Sequence, residues 1–149
     1  MTRSNKIEII FPNDSVSVEW LGETLTRVGE NRYRFEVDPL SCLYVDSERE
    51  LTRLPQYQDE FEAETISENR IRFKKVLKRA PLKRYSWVIW KEIAESTKLE
   101  EFFAKISSEG GYWERIFGGI VIVYMPRDSK MNVENEFSLL LYKDIRNDY

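Results

Sequence analysis

Apolar and polar positions alternate with a period of two through much of the first half of the chain, the pattern of half-buried strands. Ile7, Ile9 and Phe11 alternate with Glu8 and Ile10 until Pro12-Asn13-Asp14 ends the run. Val16 to Leu21 predicts a second strand and Arg32 to Val37 a third, with Tyr33, Phe35 and Val37 on one face. Asp38-Pro39 stops the third, because a residue before proline is pushed out of helical geometry. A short strand is expected at Cys42 to Val45, then a polar loop from Asp46 to Gln58.

The segment from Asp59 to Val76 predicts a hairpin around a three-residue loop, Ser67-Glu68-Asn69, with Asn69 in the left-handed position. That register pairs Ile66 with Arg70, Glu64 with Arg72 and Glu62 with Lys74. On the other face Thr65 meets Ile71 and Ala63 meets Phe73, beside Phe61, so these five residues are expected to face the core.

In the second half the period changes. Tyr85 to Ile93 predicts a largely buried strand, with Trp87 and Ile89 on one face and Val88 and Trp90 on the other. Thr97 and Glu100 form a capping box for a helix whose stripe is Leu99, Phe102, Phe103 and Ile106, closed by Gly110-Gly111. Strands Tyr112 to Phe117 and Ile120 to Met125 follow, joined at Gly118-Gly119. Asp128 or Ser129 then caps a helix with Val133, Phe137, Leu140 and Leu141 on its apolar face, and Ile145 to Tyr149 has the makings of a last strand. The order predicts an α+β protein: a β-rich meander or small barrel over residues 1–84, then a ferredoxin-like, split βαβ half over 85–149. The two halves are expected to pack as one compact unit.

Composition narrows the chemistry. A chain of 149 residues buries roughly 68–70% of its unfolded surface and needs no disulfide or metal to fold. Cys42 is the single cysteine, which excludes an internal disulfide and a multi-cysteine metal site. With no histidine there is no Ser-His-Asp or Cys-His pair and no histidine ligand for zinc or haem. No Gly-rich phosphate loop is present. The expectation is therefore no cofactor, no metal and no assignable catalytic residue. Neither a secretory signal nor a membrane-length apolar run is recognisable, which points to a bacterial cytoplasmic protein.

Charge supplies the one functional signal. Nine basic and no acidic residues lie between Arg70 and Lys91, whereas the formal net charge of the chain is -3. Such separation suits a polyanionic partner or an internal electrostatic match. Arg72 and Lys74 have acidic neighbours in the hairpin, which leaves Lys75, Lys78, Arg79, Lys83 and Arg84 as candidate binding residues, next to Tyr85, Trp87 and Trp90. Aromatics beside cations are a familiar surface for nucleic-acid bases. The overall pI of about 5.3 speaks against a dedicated nucleic-acid binder. Glu114, with Glu19 and Trp20, is the other candidate, as part of a cleft between the halves.

Five fragments carry a resemblance: Val18-Glu19-Trp20-Leu21, Tyr33-Arg34-Phe35, Tyr57-Gln58-Asp59-Glu60-Phe61-Glu62-Ala63, Gly110-Gly111-Tyr112-Trp113-Glu114, and Ile120 to Pro126. In that order they resemble a family of small uncharacterised bacterial proteins with a β-rich amino-terminal half and a ferredoxin-like carboxy-terminal half. The chain departs from that family at Gln58, where a glycine usually precedes the aspartate. The resemblance implies a fold and no activity.

Three functional readings follow. The first is a non-catalytic binding or regulatory protein that engages a protein partner, with no membrane association; its oligomeric state is open. The second is a weak nucleic-acid or phosphate-ligand binder acting through the basic segment 70–91. The third is an enzyme with a carboxylate base in a cleft between the halves.

Overall fold

Strands dominate a mixed α+β chain. The structure, a computed structural model, describes residues 6–11, 14–21, 24–39, 53–116 and 119–147, with backbone alone for residue 6, 14–21 and 141–147. It divides into two compact units, Met1–Ala80 and Pro81–Tyr149. The strand expected at Cys42 to Val45 lies outside the described residues.

The first unit is a six-stranded sheet in the order β2-β1-β6-β5-β4-β3. Its strands are β1 (Lys6–Phe11), β2 (Asp14–Leu21), β3 (Leu25–Gly29), β4 (Arg32–Phe35), β5 (Glu60–Ser67) and β6 (Arg70–Lys78). Strands β3 to β6 form an antiparallel meander, and the β1–β2 hairpin joins it through a short parallel pair, β1 with β6. Strand β3 was not anticipated. Its hairpin turns on Asn31, a residue with φ 56°, and asparagine is among the few residues that tolerate this left-handed geometry. One face of the sheet carries Ile9, Phe11, Tyr33, Phe35, Ile71 and Phe73 around Phe61 and Ala63. Phe61 is the hub, with ring centroids 5.0 Å from Phe35, 5.8 Å from Phe73 and 5.9 Å from Tyr33.

The β5–β6 hairpin keeps the expected register near its turn and loses it further down. Thr65 faces Ile71, Glu64 faces Arg72 and Ala63 faces Phe73. Ser67, not Ile66, opposes Arg70, and Asn69 is not left-handed. Beyond Ala63 the pairs become Glu62 with Lys75, Phe61 with Val76 and Glu60 with Lys78. Two bulges, at Lys74 and Leu77, each place one extra residue on β6. They let Phe73 and Val76 both turn toward the core while Lys74, Lys75, Leu77 and Lys78 all turn out. Thr65 is exposed rather than in the core, because the apolar face ends at Ala63 on this strand.

Gln58, at the position where the resembling family has glycine, has φ 68°. Its amide N–H donates to the Phe35 carbonyl at 2.9 Å and its Nε2 to Glu36 Oε2 at 2.9 Å. Glu36 also accepts from Arg34 Nε and Thr26 Oγ1. Burial pushes the Glu36 carboxyl up, but the bonds from Arg34, Gln58 and Thr26 outweigh it and hold the group below the usual glutamate range. The left-handed backbone is thus retained for a side-chain bond. Gln58→Ala keeps the strain and loses the bond, whereas Gln58→Gly loses the bond and relieves the strain. Urea denaturation should therefore find the glycine variant more stable than the alanine variant by about 1 kcal/mol.

The second unit is a three-stranded sheet, β7 (Leu82–Val88), β8 (Tyr112–Ile116) and β9 (Ile120–Pro126), in the order β7-β9-β8. Both outer strands run antiparallel to β9, and so parallel to each other. Between β7 and β8 come α1 (Lys91–Ala94) and α2 (Thr97–Ser108), and α3 (Val133–Asn147) follows β9. The stripe Leu99, Phe102, Phe103 and Ile106 is buried as expected, together with Val133, Phe137 and Leu140, against Val121, Val123 and Met125 of β9. Trp87 stacks on Phe137 at 4.0 Å and Trp113 on Phe103 at 3.9 Å.

The ends of these elements differ from the sequence reading. Ser96, one residue before Thr97, caps α2 by accepting the Lys98 N–H. Asn132 rather than Asp128 or Ser129 accepts the Asn135 N–H at the start of α3. The tail read as a strand is helix as far as Asn147. Gly110, with φ 82°, ends α2. A Cβ on Gly111 would stand 2.7 Å from Ile106 Cγ2 and Met125 Sδ, so the chain can pass there only without a side chain. Among the described residues no helix is long and apolar enough to cross a membrane.

Candidate interaction surface

Part of the basic run is matched by carboxylates of its own unit. Arg70 meets Glu8 at 3.4 Å, Arg72 meets Glu64 at 3.8 Å and Lys74 meets the same Glu64 at 2.8 Å. The Lys74 hydrogen bond and charge hold the Glu64 carboxyl below its ordinary range. Among the candidate residues Lys75 and Lys78 are exposed on β6, across from Glu62 and Glu60, and no ion pair is found for either among the described residues. Lys83 and Arg84 belong to the second unit, on β7 opposite Met125 and Tyr124. The Lys83 ammonium lies 5.1 Å from the centroid of Tyr85, a cation–π arrangement.

Arg79 is committed to the fold. Its guanidinium donates to Asp59 Oδ2 at 2.7 Å and to the Leu54 carbonyl at 2.8 Å. Asp59 is buried and also accepts the N–H groups of Gln56 and Ala80, both at 2.8 Å. Backbone donors and one cation thus occupy both carboxylate oxygens, and the knot ties the segment before β5 to the end of β6. Glu114, on β8 opposite Ile122, is half-buried and engaged in the fold. Glu19 and Trp20, its proposed companions, lie on β2, where side chains are outside the described set.

A different feature emerges where β7 ends. The strand stops at Val88, five residues short of the expected end, and Trp90 becomes the extended residue (φ -94°, ψ 169°) that precedes α1. The carbonyl of Trp90 accepts the N–H groups of Ile93 and Ala94, and the Ile89 N–H donates to the Gly119 carbonyl. Alternation then sends Trp87 and Ile89 into the core and Val88 and Trp90 outward, as the faces were read. The expected burial fails on the outward side: Val88 is 82% and Trp90 47% exposed. Val88 pairs with Ile120, which pairs with Ile116, so three aliphatic side chains share a row on one face of the sheet. Sequence reasoning missed this surface because an apolar run reads the same whether it is a buried strand or a strand end with an exposed tip.

Comparison with known proteins bears on the fold only. No family model and no curated protein matches the chain. A crystal structure of a hypothetical protein from Neisseria gonorrhoeae is similar. It aligns over 98% of this chain and 91% of its own, with a TM-score of 0.53 and 12% identity. At that identity the likeness concerns the arrangement of strands and helices across nearly the whole chain, and it supports the resemblance to small bacterial proteins.

Proposed function

We propose that this chain is a non-catalytic binding or regulatory protein of the bacterial cytoplasm that engages a protein partner through the apolar end of its second sheet. The second unit is read with it as a ferredoxin-like half, since β7 and β8 flank β9 with α2 between them in sequence, as in a split βαβ unit. The observation that carries the reading is Val88, which is 82% exposed at the end of a row of aliphatic side chains and two residues from a half-exposed Trp90. Apolar residues grouped at a surface mark interaction sites, and tryptophan is prominent among residues that dominate binding energy. The charged alternative has less to draw on, because Arg70, Arg72, Lys74 and Arg79 are matched by carboxylates of their own unit.

The test uses the purified chain as bait in an extract of its native cell, beside a Val88→Asp/Trp90→Ala variant and a Lys75→Glu/Lys78→Glu variant. The expected result is a reproducible protein partner whose affinity, remeasured with both proteins purified, falls at least about tenfold with the apolar variant and is unchanged with the charge variant. A partner that binds the apolar variant equally well overturns the surface. Failure to recover any partner, with labelled RNA or DNA binding instead and weakening with salt at a log–log slope near -0.9 or -0.7 per phosphate contact, replaces this reading by the second.

A further inference from the structure

We draw no further inference here: the strongest candidate, the apolar row of Val88, Ile120 and Ile116 beside Trp90 on the second sheet, belongs to the surface already described, and nothing in the structure shows which molecule covers it.

Discussion

Phe61→Ala is expected to destabilise the first unit by about 3–5 kcal/mol, the range for deleting a buried phenylalanine ring. Its side chain has no exposure and touches the rings of Tyr33 and Phe35 on β4 and of Phe73 on β6. Rings anchored on the two flanking strands, β4 and β6, cannot all collapse into the void at once, so the cavity remains and the full cost is felt. Arg72→Glu, between the buried Ile71 and Phe73 but on the opposite, exposed face of the strand, is expected to cost no more than about 1 kcal/mol, because exposed ion pairs contribute little. The Arg72 side chain is 47% exposed and reaches Glu64 only at 3.8 Å. Chemical denaturation of both variants measures the contrast. A costlier change at Arg72 than at Phe61 would mean that charge pairing, not the aromatic cluster, holds this hairpin.

Removal of the buried carboxylate is expected to be comparably severe. Asp59→Ala strands the N–H groups of Gln56 and Ala80 and takes the acceptor from Arg79. Bonds to a charged group are worth roughly 1.5–3 kcal/mol each, and a buried donor left without a partner carries its own penalty. The expected loss is about 3–5 kcal/mol. Asp59→Asn keeps an acceptor for only one of the two backbone donors, which sit on different oxygens, and should lose somewhat less than the alanine variant. Arg79→Ala should cost about 1 kcal/mol, since that side chain is 40% exposed and the two backbone donors remain on the carboxylate. Equal losses at Arg79 and Asp59 in urea denaturation would show that the ion pair, rather than the backbone bonds, is the tie.

How much of this was legible beforehand depends on the range of the interaction. The stripe Leu99, Phe102, Phe103 and Ile106 and the near-turn pairs of the β5–β6 hairpin follow from periodicity, because each is set by residues a few positions apart. The unusual residue at 58 was visible as a departure from a resembling family, although its left-handed backbone was not. The candidate cations fared differently. Arg79 was read as a binding residue because its carboxylate partner lies twenty positions away, and no pattern in the sequence joins the two.

By itself, then, the sequence determined an α+β chain without histidine chemistry, the helix faces, and the two sides to which Trp87 and Val88 point. Tertiary structure alone decided the bulges at Lys74 and Leu77, the parallel joining of β1 to β6, the knot at Asp59, and the exposure of Val88 and Trp90. The physical reason is that periodicity reports which side chains share a face, whereas exposure depends on what the rest of the chain places against that face. A strand that is apolar on both faces gives no sign of where its cover ends.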